Sequence, residues 1–350
     1  MPAAETPPPA LARLALTMGD PSGVGPEIIA AIWADDRVWL TCRPIVYGDA
    51  GVMAQAAELI GLTATVSKAA SAAEAFESTK PTEMPCVSQS ELDPHAFEPG
   101  VVNAATGAAA YEAIVAATEL TLAGECEAIV TAPISKSALQ AAGHDYPGHT
   151  ELLAELCGVE AFAMMLYLPP ALAPRTQAGL GVIHTTLHTS MRNAIDSLSI
   201  EGIVEKCQLA HGAAIAYGAD SPRVGVAALN PHGGEGGLFG DEEIRLIGPA
   251  VVRAKSLGID ASGPHPVDTL MGRAVAGEFD AVVAMYHDQG HIALKLLGMH
   301  GAVNITLGLP IIRTSVAHGT APDKAWKGVA ETGGMIAAIE AAAALASRRS

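Results

Sequence analysis

Long apolar runs are missing from this chain. No stretch approaches the roughly 20 apolar residues that cross a bilayer as a helix, so no membrane span is expected. Aromatic residues make up only 4%, so a core must be built from Ala, Val, Ile, Leu and Met, which suits helices lying close on a sheet. Charged residues reach 16% and hydrophobic ones 50%, against a norm of about 25% charged. That balance excludes an intrinsically disordered chain. The five cysteines (Cys42, Cys86, Cys126, Cys157 and Cys207) are scattered and show no Cys-x-x-Cys spacing. A disulfide framework or a cysteine zinc site is not expected, and a reducing cytoplasm is the expected location. Basic charge is also short: 20 Lys+Arg face 37 Asp+Glu, a net charge of −17. Nucleic acid and anionic membranes need basic neutralisation and are disfavoured as partners. A small anionic ligand, which needs only a few local cations, stays open. The first residues, MPAAETPPPALAR, hold no basic segment followed by an apolar one. They read as a Pro-rich tail and not as a signal peptide.

Beyond the tail, strand-length apolar runs alternate with helical patterns. Strands are expected at residues 14–18, 43–47, 128–131, 164–168, 179–184, 223–228 and 281–285. Helices are expected at 27–33, 52–60, 106–123, 137–142, 189–198, 203–217, 241–256 and 334–346. This alternation argues for an α/β fold with a mainly parallel sheet. At 350 residues and roughly 150 per domain, two domains are expected. No linker divides the chain, so segments must cross between them. The default site is a cleft beyond the strand ends, between two sheets.

Four segments carry candidate chemistry. Gly19-Asp20-Pro21-Ser22-Gly23-Val24-Gly25-Pro26-Glu27 follows a strand and opens a helix. It matches neither a dinucleotide fingerprint nor a Walker A loop, and reads first as a tight turn. Most of the 12 histidines fall in polar or Gly-rich strand-end segments, including Gly148-His149-Thr150-Glu151, His184 to His188, Asn230 to Glu235 and Tyr286 to His291. Three neutral imidazoles with an open position would make a catalytic divalent-metal site, although any one histidine can be an ordinary loop residue. Lys295, Asn304 and Arg313 recur through an otherwise apolar stretch. A cation there needs an anion, either an internal carboxylate or a ligand phosphate or carboxylate. His318-Gly319-Thr320-Ala321-Pro322-Asp323 precedes a helix, where Asp323 can cap it or the loop can hold a nucleotide.

Taken together, Met18 to Glu27, Pro147 to Glu151, Asn230 to Glu235, Met285 to Gly290, and Asn304 to Pro310 with Arg313-Thr314-Ser315 resemble the 4-hydroxythreonine-4-phosphate dehydrogenase family of vitamin B6 synthesis. The resemblance runs over about residues 14 to 333. It implies two α/β/α domains with a cleft between them, like isocitrate and isopropylmalate dehydrogenases. Residues 1–137 and 296–350 would form the first, nucleotide-side domain, and residues 138–295 the second, metal- and dimer-side domain. It further implies a homodimer with one divalent cation per site (Zn, Mg or Co), held by His188, His232 and His287 and shared across the interface. His149, Thr150, Lys295, Asn304 and Arg313 would bind substrate. His318, Gly319, Thr320 and Asp323 are similar to an adenosine-binding loop and offer a place for NAD or NADP.

The implied reaction is NAD-dependent oxidation of a secondary alcohol β to a carboxylate, followed by loss of CO2. The first-ranked conversion takes 4-phosphooxy-L-threonine to 3-amino-2-oxopropyl phosphate. Lys295 and Asp268 are the candidate general bases. His291, the run Ile292 to Gly298, and Ala325-Trp326 look more like a related branch acting on 4-phospho-threonate or 4-phospho-erythronate. A more distant branch oxidises aromatic dihydrodiols, and Asn304 with Arg313 argue against it. A metal-dependent phosphate-ester hydrolase and a non-catalytic metabolite-binding protein are the competing readings from other classes.

Overall fold

The structure, a computed structural model, describes residues 11–176, 178–298 and 301–349. The expected Pro-rich tail lies outside the described residues. Twelve strands run in chain order: β1 (Ala12–Thr17), β2 (Cys42–Gly48), β3 (Thr65–Ala69), β4 (Glu83–Ser88), β5 (Ala128–Thr131), β6 (Ala163–Leu168), β7 (Leu180–His184), β8 (Arg223–Ala227), β9 (Asp260–His265), β10 (Ala281–Ala284), β11 (Val303–Leu307) and β12 (Ile312–Val316). They join in one sheet in the order β3-β4-β2-β1-β5-β12-β11-β6-β7-β10-β8-β9. The protein is thus α/β with a large mixed sheet and flanking helices.

Strands from residues 12–131 occupy one flank and strands from residues 163–284 the other. Within the flanks the pairing is parallel except at β6–β7. Antiparallel pairing is confined to the middle, at β12–β11, β11–β6 and β6–β7. The physical reason is connection length. Parallel neighbours need a long crossover, whereas β11 and β12 are separated by only a short turn and must run antiparallel. This hairpin also corrects the sequence reading: it carries the sheet from one flank to the other, so the cleft does not lie between two separate sheets.

Alternation along the central strands sorts chemistry from core. On β12, Ile312 and Val316 enter the largest hydrophobic cluster together with Ile336 and Ile339 of the Gly333–Arg349 helix. Thr314 donates its hydroxyl to the Ala338 carbonyl on that helix, at 2.8 Å. Arg313 and Ser315 therefore belong to the opposite face. The small residues foreseen for the core let helices approach closely. In the Ala104–Leu122 helix, a Cβ on Gly107 would stand 2.0 Å from the Ala138 carbonyl oxygen of the Lys136–Ala141 helix.

The expected helix at 241–256 begins instead with a π-helical turn, Glu243–Ile247, before the α-helix Gly248–Ser256. Such turns insert a residue to aim a side chain, and here Glu243 is buried. All five cysteines are free thiols. Among the described residues, no helix is long and apolar enough to cross a membrane.

Gly107→Val forces the two helices apart. It should lower the unfolding free energy by about 1–3 kcal/mol in urea titrations, and unchanged stability would contradict the close approach.

Candidate active site

A cleft of about 280 Å³ lies over the antiparallel middle of the sheet. Its floor is the polar face of the central strands. Arg313 is 1% exposed. Its Nη1 donates to Thr306 Oγ1 at 3.0 Å, and its Nε and Nη2 donate to Thr131 Oγ1 at 3.2 and 2.7 Å. Thr131 reaches it because β5 and β12 are parallel neighbours, and Thr306 because β11 and β12 form the hairpin. No carboxylate of the described residues makes an ion pair with Arg313. Burial pulls the guanidinium down to about 9, with Glu151 opposing, so it stays charged at neutral pH. A guanidinium offers five N–H donors, and two neutral hydroxyls leave some of them unused.

Two neighbours share this state. His149 is half-buried, but its Nε2 is closed to solvent and has no partner. Burial first, then the charge of Arg313, holds that imidazole well below its ordinary range, so it is neutral. Asn304 lines the cleft with its Oδ1 also unpartnered. Buried polar atoms are nearly always satisfied, and a group left open next to a buried cation suits an anionic guest. Lys136 and Lys295 add two more cations at the cleft, against one lining carboxylate, Glu151. A protein of net charge −17 thus concentrates positive charge here.

The other wall holds imidazoles. β7 and β10 are parallel neighbours with Ala284 opposite His184, so the segments after them emerge side by side. His188 and His287 come to a ring separation of 5.8 Å. His287 stacks on His291 at 3.8 Å, and His291 Nδ1 lies 3.1 Å from His184 Nε2. Burial, then the neighbouring imidazoles, push His184 down to about 3; burial, then His287 and Lys295, push His291 down to about 4. Burial and Lys136 lower His188, with Glu151 opposing. Neutral imidazoles keep a lone pair for a metal or a proton. His287 Nδ1 meets Asp288 Oδ1 at 2.7 Å, which leaves Nε2 as its free nitrogen.

His232 stands apart. It is exposed in the Pro231–Gly237 segment, with φ at +54°, and does not line the cleft. The buried Glu243 fixes the base of this segment. Its Oε1 accepts from the Leu229 and Asn230 N–H groups at 2.8 Å each, and its Oε2 from Asn230 Nδ2 at 2.9 Å. Burial pushes the Glu243 carboxyl up, but these hydrogen bonds outweigh it and hold the group low. Among the described residues, no group of three His, Cys, Asp or Glu side chains is placed to hold a metal. One chain therefore offers two facing imidazoles, a set that fits a divalent metal only with a further ligand.

Of the other sequence-predicted residues, Thr150 and Lys295 line the cleft, whereas Asp268 is exposed on the Val267–Val275 helix and does not. His318 and Gly319 line both the cleft and an adjoining apolar pocket of about 250 Å³ that Val24, Ile28 and Ala321 also line. Thr320 instead docks against the first Gly-rich turn, its carbonyl accepting the Val24 N–H. Asp323 is exposed and lines neither space. Sequence reasoning missed Thr131, Lys136 and Thr306. The first two flank the end of β5 in Thr-Ala-Pro-Ile-Ser-Lys, a strand-end position like those of the histidine segments, and could have been found by the same rule.

The family model described as Pyridoxal phosphate biosynthetic protein PdxA matches residues 40–342. The chain belongs to the PdxA family. A 4-hydroxythreonine-4-phosphate dehydrogenase of Geobacter metallireducens is 47% identical over 336 residues, covering 95% of each chain. A D-threonate 4-phosphate dehydrogenase of Salmonella typhimurium is 43% identical, covering 95% of this chain and 98% of its own. The crystal structure of a 4-hydroxythreonine-4-phosphate dehydrogenase from Klebsiella pneumoniae superposes with a TM-score of 0.83 at 43% identity, over 96% of this chain and 99% of that one. Membership of the PdxA family agrees with the resemblance read from the sequence motifs.

His184 takes a proton near pH 6.5 when unfolded and near 3 when folded. The folded state binds fewer protons across that window. Its stability contribution is therefore complete above about 6.5 and lost as pH falls toward 3. His184→Asn should make the fall of unfolding free energy across pH 6.5 to 3 shallower; an unchanged slope would count against the buried neutral imidazole.

Proposed function

We propose that the protein oxidises the 3-hydroxyl of a phosphorylated four-carbon acid with NAD or NADP as hydride acceptor, and that the resulting β-keto acid loses CO2. Two substrates fit the names carried by its relatives: 4-phosphooxy-L-threonine, giving 3-amino-2-oxopropyl phosphate, and 4-phospho-D-threonate or its erythronate isomer. The observation that carries the reading is Arg313, a buried guanidinium without a carboxylate, facing a cleft that also holds His188 and His287. A phosphate dianion satisfies its spare donors. His149, Thr150 and Asn304 line the same cleft and would surround the guest, and Lys136 would pair with its carboxylate.

His188 and His287 would hold the divalent cation, with His232 from a second copy completing the set. Bound there, the metal would act as a Lewis acid on the alcohol and on the carbonyl it becomes. Exposed apolar side chains beside His232 (Leu238, Phe239, Ile244) and on the His287–Gly298 helix (Ile292, Leu296) support a homodimer that covers this face. Lys295 is the base candidate within the cleft: in its deprotonated, neutral form it would take the hydroxyl proton as the C3 hydride passes to the nicotinamide. The C1–C2 electron pair then moves toward the carbonyl as CO2 leaves, and a proton returns to C2. The apolar pocket at Ala317 to Ala321 suits the nucleotide, because it adjoins the cleft. In this reading residues 1–137 and 296–350 form the nucleotide-side domain, and residues 138–295 the metal and dimer side. A two-metal phosphate hydrolase would want more carboxylates than Glu151 among the described cleft residues.

Purified protein with a divalent metal and NAD should form NADH from one of the two phosphorylated acids. Silence with both would overturn the reading. Arg313→Met should raise KM by tenfold or more with a smaller change in kcat, and an unchanged KM would remove its phosphate role. His188→Ala and His232→Ala should each be inactive alone. Co-refolded, they should regain roughly a quarter of wild-type activity, since half the dimers are mixed and each mixed dimer keeps one intact site. No recovery would place all ligands in one chain.

A further inference from the structure

We propose a second ligand site, for a medium-chain carboxylate, in the space between the Ile200–Tyr217 helix, the Gly333–Arg349 helix and the turn that joins β11 to β12. The claim goes beyond the reading above and does not depend on it.

The space measures about 260 Å³. Its walls include Ile305 and Ile312, on the sheet face opposite the cleft, and Arg313 is the one described residue that lines both spaces. It forms at a seam. Ile305, Ile312 and Leu345 belong to the largest hydrophobic cluster, whereas Leu309 and Ile311 belong to a second one. The turn between them cannot move in to close the seam, because it is already held from its other side. Its Gly308 has φ at +88°, and a Cβ there would lie 2.2 Å from the Ala161 carbonyl oxygen. On the helix side, Gly212 lines the space. It sits inside an 18-residue helix, where glycine is weaker than alanine. A Cβ on it would meet no atom within 4 Å, so packing does not demand the glycine. Its effect is to keep the space open.

The polar groups around it all suit an anion. Arg348 and Arg349 line the space, and Arg349 Nη1 donates to the Pro310 carbonyl at 3.0 Å, which draws its guanidinium to the turn. No carboxylate of the described residues lines the space, in a chain whose net charge is −17. Tyr217 is the second, independent sign. Its ring stacks on Tyr167 at 4.1 Å. Tyr167 donates its hydroxyl to the Ala178 carbonyl at 2.8 Å, but Tyr217, 7% exposed and lining the space, has its Oη closed to solvent and without a partner. A buried tyrosine hydroxyl usually finds a partner. Burial pushes this phenol well above its ordinary range, so it keeps its proton and has an O–H to donate. Guanidinium groups and an O–H call for an acceptor anion. The Leu and Ile walls call for an apolar body, which a bare phosphate lacks. A carboxylate on a short aliphatic chain meets both demands.

Calorimetric titration with octanoate, below the concentration at which it forms micelles, should show one saturable site per chain. 1-Octanol has the same body without the charge and should bind about tenfold more weakly, since the charge-assisted hydrogen bonds are lost. Hexanoate, two methylenes shorter, should also bind roughly tenfold more weakly. Gly212→Leu fills the space and should abolish octanoate binding. The double variant Arg348→Gln with Arg349→Gln should bind octanoate no more tightly than 1-octanol. Absence of saturable octanoate binding, or equal binding by the wild type and Gly212→Leu, overturns the proposal. Octanol binding as tight as octanoate overturns it as well, because the site would then not select an anion. If Gly212→Leu does not fold, the double glutamine variant decides, and an unchanged octanoate affinity there overturns the site.

Discussion

A guanidinium buried without a carboxylate sets the terms for the rest of the site. Removing an ion from water costs several kcal/mol unless other groups compensate, and Thr131 and Thr306 supply only neutral hydroxyls to Arg313. An internal acid would have quenched the charge and closed the site. Leaving it open demands a rigid seat, and the sheet supplies one. Arg313 sits in the middle of a twelve-stranded sheet, between a parallel neighbour and a hairpin partner. Its strand is locked from behind by the apolar face of the Gly333–Arg349 helix. The antiparallel break in an otherwise parallel sheet is what places Asn304 and Thr306 beside it, because a second parallel crossover could not return the chain so soon.

The imidazole wall follows a different rule. Its members come from segments far apart in the chain, brought together by the parallel register of β7 and β10. Burial first, then the neighbouring imidazoles, Lys136 and Lys295, keep protons off His184, His188 and His291, so their lone pairs are available at neutral pH. The anion seat and the lone-pair wall face each other across one cleft of about 280 Å³. That is room for a short chain with a phosphate at one end and a reactive carbon near the other, and too little for a nucleotide as well. On the proposed reading, the apolar pocket that meets the cleft at Ala317 to Gly319 would take that second role.

Much of this was legible in the sequence. Strand-end histidine segments and the run from Lys295 to Arg313 pointed to the cleft, because chemistry in α/β proteins gathers at strand ends and because buried cations need a reason. The four-residue strand β5 was read with its observed bounds. The hairpin strands β11 and β12 were not, since Arg313, Thr314 and Ser315 interrupt their apolar pattern; polar residues on one face look like a broken strand until the alternation is seen in place. β3 and β9 were missed because edge strands bury little and so carry a weak pattern. The π-helical turn at Glu243 was invisible for another reason. Its sequence reads as plain helix, and only the need to satisfy the Leu229 and Asn230 N–H groups explains it. Asp268 was named as a candidate base for the implied chemistry, without geometry, and it lies exposed on the Val267–Val275 helix, outside the cleft lining.

Family membership leaves the substrate undecided, since close relatives bear two different names. The physical reason lies in what those substrates share. Both carry a phosphate, a carboxylate and a secondary alcohol, so Arg313, Lys295 and the imidazole pair are needed equally by each. On the proposed reading these groups would bind what both substrates present and could not tell them apart. Discrimination has to come from a position that touches the one differing substituent, and its sign has to come from charge, because a hydroxyl and an ammonium differ little in size.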